Sequence, residues 1–146
     1  MERTSERMVV QAAPERCIAV VCDVEAYPLW VADVKDVSVL ERDADDRALV
    51  AAFRAGAFGR STSYVLAYDY SALPAKVSWS QRDGDITRAL DGSYTFVPTA
   101  DGGTEVIYQL AIDLRVPVPG FVRRRAEEQI LHAALRDLKS RVESLA

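Results

Sequence analysis

The sequence predicts an α+β fold in which a curved, seven-stranded antiparallel sheet wraps around one long C-terminal helix. Three observations carry that expectation. Six strand-length runs follow one another between Val34 and Leu114, each set off by a short turn signal. A further strand precedes them, separated by a proline-led helical segment. The last segment has no proline or glycine after Gly120 and reaches about Ser144.

Taken in order, Met8-Val9-Val10 with its polar leader reads as the first strand. Pro14-Glu15-Arg16 then opens a short helix, with proline in the first turn and an acid beside the positive helix end. Asp23 caps a second short helix from Glu25 to Ala32. From Val34 the period changes to two, and the strand-like runs that follow are Arg47 to Ala55, Ser61 to Ser71, Ala75 to Arg82, Thr87 to Val97 and Thr104 to Leu114. Their connections, among them Asp43-Ala44-Asp45-Asp46, Gly56 to Gly59, Leu73-Pro74, Asp83-Gly84-Asp85 and Asp101-Gly102-Gly103, are too short for parallel crossovers. An antiparallel meander follows. The terminal helix, roughly 25 residues and about 38 Å long, is long enough to cross such a sheet. Leu131, Ala134, Leu135, Leu138, Val142 and Leu145 share one face, and in its first half the apolar line moves to Val122, Ala126 and Ile130.

With 146 residues and 16.1 kDa, the chain 1–146 is expected to form a single domain. Its 22 acidic against 18 basic residues leave a net charge of −4, which argues against a nucleic-acid partner. Cys17 and Cys22 lie about 7.5 Å apart along a helix, too far for a comfortable disulfide. With His132 as the sole histidine no zinc set is expected, nor any other metal or cofactor. A reducing, cytoplasmic setting fits, and no segment reads as a signal peptide or a stable membrane insertion.

Asp23-x-Glu25-x-Tyr27-Pro28-x-Trp30, Gly92-Ser93-Tyr94-x-Phe96, Gly103-Thr104-Glu105-Val106-x-Tyr108 and the proline-led final helix with Arg123-Arg124-Arg125-Ala126-Glu127 resemble the START-like (SRPBCC, Bet v 1-like) superfamily. Within it the likeness is to the polyketide cyclase/dehydrase and coenzyme-Q-binding branch, and it covers nearly the whole chain. The resemblance implies a helix-grip fold and a small hydrophobic ligand, such as a lipid, quinone or polyketide, held between sheet and helix. It further implies that the Gly56-Ala57-Phe58-Gly59 turn closes over the cavity mouth, as the corresponding hairpin does in hormone-binding relatives. Two glycines around one large aromatic allow that motion.

Strand alternation predicts the wall of such a cavity: Val37, Val39, Phe53, Leu66, Tyr68, Trp79, Tyr94, Phe96, Tyr108, Leu110 and Ile112, joined by Trp30 from the short helix and by Leu131 and Leu135 from the long one. Taken singly, each is better read as plain core packing; as a set, they bring polar tyrosine and tryptophan tips into an apolar wall. Glu127 falls between Ala126, Ile130, Leu131 and Ala134 on the helix projection. Facing the sheet, it would serve as a general acid with a raised pKa or grip a ligand hydroxyl; at the rim, it would pair with an arginine. Glu127, Tyr94 and Tyr108 are the candidate catalytic groups. Facing inward, Arg54 or Arg88 would hold a carboxylate or enolate; their alternation with apolar neighbours reads instead as outward and solvated, and His132 reads as helix surface. The acidic turn Asp43 to Asp46 is accounted for by turn chemistry, and the Arg123 to Arg125 charges fan around the helix.

Three functions are compatible with these residues. The first is binding of a small hydrophobic molecule. The second is a polyketide aromatase/cyclase or dehydrase, in which the pocket folds the substrate and a few polar groups move protons. The third is a protein-interaction module, which requires an exposed apolar patch.

Overall fold

In the computed structural model, residues 2–57 and 60–145 are described. The chain runs β1 (Thr4–Val10), α1 (Pro14–Cys22), a 3-10 helix (Val24–Leu29), β2 (Val34–Arg42), β3 (Ala48–Ala57), β4 (Arg60–Asp69), β5 (Lys76–Gly84), β6 (Thr87–Pro98), β7 (Thr104–Leu114) and α2 (Gly120–Ser144). The seven strands form one antiparallel sheet in the order β1-β7-β6-β5-β4-β3-β2. The expected helix-grip architecture is present. β1 begins four residues earlier than its apolar core Met8-Val9-Val10, because Thr4 to Arg7 alternate outward and inward against β7.

Local irregularities bend the sheet around the helix. Register shifts occur in the β2–β3 pairing, between Val65 and Leu66 opposite β5, and between Thr87 and Ala89 opposite β7; an extra residue on one strand tightens its twist. The β5–β6 ladder pairs only Lys76–Trp79 with Gly92–Thr95. Beyond it, side chains take over: the Gln81 amide N–H donates to Asp91 (3.1 Å), its side-chain amide donates to the Thr87 carbonyl (2.9 Å), and the Thr87 hydroxyl donates back to Gln81 (2.5 Å).

α2 packs on β1, β7 and α1. Its buried stripe is Glu127, Leu131, Leu135, Leu138 and Val142, so the sheet-facing line continues through Glu127. It does not drift to Val122 and Ala126 as the sequence projection had it. Val122 is 42% exposed, and with Val116, Val118 and Phe121 it forms an apolar surface where the helix starts. Leu145, also assigned to the buried face, is exposed at the C-terminal end. Cys17 and Cys22 are free thiols on α1, and burial pushes the Cys22 thiol up to about 11. No helix among the described residues is long and apolar enough to cross a membrane.

The exposure difference along α2 is testable. Leu135 is fully buried, so Leu135→Ala should cost about 2–5 kcal/mol of stability. Phe121→Ala, at a position 71% exposed, should stay within about 0.5 kcal/mol of the parent. Urea denaturation midpoints compare the two.

Candidate functional site: a ring-sized cavity between sheet and helix

Strands β3 to β7 curl far enough from α2 to leave a cavity of about 130 Å³. Its wall is mostly apolar and aromatic. Phe53, Leu66, Tyr68, Trp79, Tyr94, Tyr108, Leu110 and Ile112, all predicted from alternation, line it. The indole of Trp79 is the hub of one side, with ring centroids 5.9 Å from Tyr68, 5.6 Å from Tyr94 and 5.7 Å from Tyr108; Tyr94 and Tyr108 are themselves 4.4 Å apart. Such tilted and edge-on aromatic pairs add to the area they bury.

The other predicted wall residues lie elsewhere. Trp30 stands edge-on to Tyr27, with centroids 5.2 Å apart and planes at 71°; Tyr27, not Trp30, reaches the cavity. Phe96 is stacked behind Tyr94 in the core. Leu131 and Leu135 belong to the buried seam of α2, while the helix turns Ile130, Ala133, Ala134 and Asp137 to the cavity. Phe58 lies outside the described residues; Gly56, expected in the same turn, belongs to β3 and is on the wall.

Glu127 faces the sheet and is 1% exposed. Its Oε2 accepts the Ile112 amide N–H at 2.8 Å, and its Oε1 accepts the Thr4 hydroxyl at 2.7 Å. Both oxygens are engaged in tying α2 to β7 and β1, and the residue is not part of the cavity wall. The remaining charged candidates point outward. Arg54 pairs with Asp36 and Arg88 with Asp113, all well exposed. His132 Nδ1 is 3.1 Å from Glu6 at the surface. Asp43 closes its turn by accepting the Asp45 and Arg47 amides, both at 2.9 Å.

The polar groups of the cavity are of two kinds. The hydroxyls of Tyr27, on the wall, and of Tyr70, which is not, donate to the backbone carbonyls of Val21 and Ala48. Those of Tyr94 and Tyr108, on side chains 5% and 7% exposed, have no hydrogen-bond partner among the described residues and open on the cavity. Burial, then neighbouring tyrosines, holds both well above the usual phenol range. The second kind is carboxylate. Asp137 on α2 and Asp33 before β2 both line the cavity, and Asp137 Oδ2 accepts the amide of Ala32 at 3.2 Å, which brings the two acids to one seam. Asp33 is the exposed residue of the lining and marks its rim.

Sequence reasoning missed both acids, together with Tyr64, Thr62, Thr87 and Leu90. Tyr64 and Thr62 share the parity of Leu66 and Tyr68 on β4, and Asp137 continues the helical line Ile130–Ala134. Nothing in the pattern around Asp33 distinguishes it from an ordinary loop acid.

Comparisons with known proteins place this architecture. Residues 10–139 match the profile of the family described as polyketide cyclase / dehydrase and lipid transport. The chain belongs to this family. A START superfamily protein from Mycobacterium smegmatis superposes with a TM-score of 0.93 at 26% identity, covering 99% of both chains. The Zhui aromatase/cyclase from a Streptomyces species gives 0.85 at 15% identity, covering 97% of this chain and 93% of that one. A STAR-related lipid transfer protein from Xanthomonas axonopodis gives 0.74 at 19% identity, covering 97% and 85%. The last two likenesses, at such identities, show the fold alone. No curated protein matches the sequence significantly.

Two tests follow from the side-chain geometry. Burial raises the pKa of all six tyrosines. Below the unfolded value of about 10 both states are protonated and stability does not depend on them. Above it the unfolded chain releases protons that the folded one retains, so stability falls as pH rises. Absorbance titration at alkaline pH should show little phenolate near pH 10 and a steep rise coincident with unfolding by circular dichroism.

The Glu127 clamp predicts a different pattern. Glu127→Ala leaves the buried Ile112 N–H unpaired and should cost about 2–4 kcal/mol. Glu127→Gln keeps one acceptor and should cost less, with ligand affinity unchanged because the residue is not on the wall. Denaturation midpoints and a binding isotherm report the two effects.

Proposed function

We propose that the protein binds a compact hydrophobic molecule in the cavity between the sheet and α2. One observation carries this reading: the mostly apolar, aromatic-lined space that packing leaves open, with unpartnered tyrosine hydroxyls in its wall. Interiors close-pack to leave few voids larger than a water molecule, and an apolar cavity of about 150 Å³ accepts a benzene ring. A cavity of about 130 Å³ therefore suits a molecule near the size of one ring. A lipid or fused polyketide enters only if the aromatic wall moves. Family membership supports the reading, since the family's description joins cyclases, dehydrases and lipid transport.

A cyclase or dehydrase activity has its own supporting feature. The hydroxyls of Tyr94 and Tyr108 and the carboxylate of Asp137 open on the same space, where a phenol that stays protonated donates a hydrogen bond to an enolising carbonyl. Glu127, engaged on both oxygens, is a positioning group for α2 in either reading.

Of the two tryptophans, Trp79 lines the cavity and Trp30 does not. Nitrobenzene, a one-ring quencher, should therefore quench fluorescence saturably. Trp30→Phe should keep the saturable component, while Trp79→Phe and the cavity-filling Ala134→Phe should remove it. Quenching that stays linear with concentration in the parent protein would sink the binding reading.

A further inference from the structure

The charged groups of the cavity wall are of one sign. Among the described residues no lysine, arginine or histidine lines it, whereas Asp33 and Asp137 do. Asp137 is held in place by the Ala32 amide and is 18% exposed at its side chain. Two cations beside this seam, Arg136 and Lys35, lie outside the wall. Arg136 Nε is 3.9 Å from Asp137 Oδ1 on a side chain 61% exposed, and Lys35 donates to the Ala32 carbonyl at the surface. Solvated cations of this kind are screened and neutralise a neighbouring charge only weakly.

The cavity also carries donors and acceptors that have found no partner. Tyr94 and Tyr108 are more than nine-tenths buried, and their hydroxyls open on the same space as the two acids. A hydroxyl both donates and accepts, whereas an ionised carboxylate only accepts. A ligand satisfying both kinds must bring at least one hydrogen to donate. A ligand carboxylate brings none, and would set a third negative charge beside two in a partly desolvated site.

We propose that the cavity selects its ligand by charge and hydrogen-bonding sense, taking a ring-sized apolar molecule that is neutral or cationic and bears a donor group, such as a phenol or an aryl amine, and excluding aryl carboxylates. This rests on the reading of the cavity as a binding site. The apolar body lies among Leu66, Trp79, Leu110 and Ile112, and the donor group points to the seam where Asp137 meets the Ala32–Asp33 backbone. Asp137 also adds to the forces that keep the Tyr94 phenol protonated, so that hydroxyl remains a donor to any acceptor on the same ligand.

Four one-ring probes of matched shape test it: toluene, p-cresol, 4-methylbenzylamine and 4-methylbenzoate, each titrated at neutral pH by displacement of nitrobenzene. The expected order places p-cresol and the amine ahead of toluene, with the benzoate weaker than toluene by about tenfold or more. Asp137→Asn, whose side-chain oxygen still accepts the Ala32 amide, should narrow the gap between amine and benzoate at least threefold. Asp33→Asn, on an exposed loop, makes the same comparison should the helix variant fail to fold. Benzoate binding as tightly as toluene, while the other probes bind, overturns charge selection and leaves the binding site standing. Failure of all four probes to bind overturns the binding reading itself and charge selection with it.

Discussion

α2 is seated on the sheet by two contacts of different character. Near its start, the Glu127 carboxylate takes the Ile112 amide and the Thr4 hydroxyl, fixing the helix against β7 and β1 at hydrogen-bond distances. Further along, Leu131, Leu135, Leu138 and Val142 close a dry seam on the same side. With that side committed, the adjacent flank of the helix is what faces β3 to β5, and there the chain supplies Ala133 and Ala134. Leucines at those two positions would fill the interior. The empty volume thus follows from which flank is anchored and how small the other one is.

The tyrosines show how one residue type serves two ends. Tyr27 and Tyr70 give their hydrogens to backbone carbonyls and behave as ordinary buried phenols. Tyr94 and Tyr108 keep their hydrogens unassigned within a cluster organised by Trp79. Neither oxygen is an enclosed atom left without a partner; among the described residues those are Ser93 Oγ and Arg123 Nε. On the cavity side, the two phenols are free to donate to whatever occupies it.

Much of the fold was legible because strand parity and turn chemistry are local. Thr104 to Leu110 alternates along most of its strand, and the short connections between strands admit no parallel crossover. The last helix declares itself by the absence of proline and glycine after Gly120. The apolar line through Val122 and Ala126 misled, since the sheet ends before the helix begins and a carboxylate with two donors can take a sheet-facing place that apolar counting denies it. Strand parity found most of the wall between Phe53 and Ile112, although it also chose Phe96, Val37 and Val39, which do not line the cavity, and it says nothing off the strands. Val24 and Tyr27, three residues apart, form the buried face of the 3-10 helix, whereas Trp30 is its C-cap, where the backbone has already left the helix and no period applies. Asp137 was hidden because an acid on a surface helix looks solvated; only the register of Ile130 and Ala134 beside it says otherwise.

Gly92 pairs with Trp79 across the β5–β6 ladder and faces the same interior. A Cβ placed there would lie 2.5 Å from one indole carbon and 2.8 Å from another, with the Gln109 carbonyl at 2.9 Å on a third side. The indole therefore rests on bare backbone, as deep in the sheet as it can go. Any side chain at position 92 lifts it toward α2 and takes volume from the cavity. The protein carries a means of changing what fits inside it without altering any residue that a ligand touches: a lineage can tune the depth of this pocket from beneath its floor.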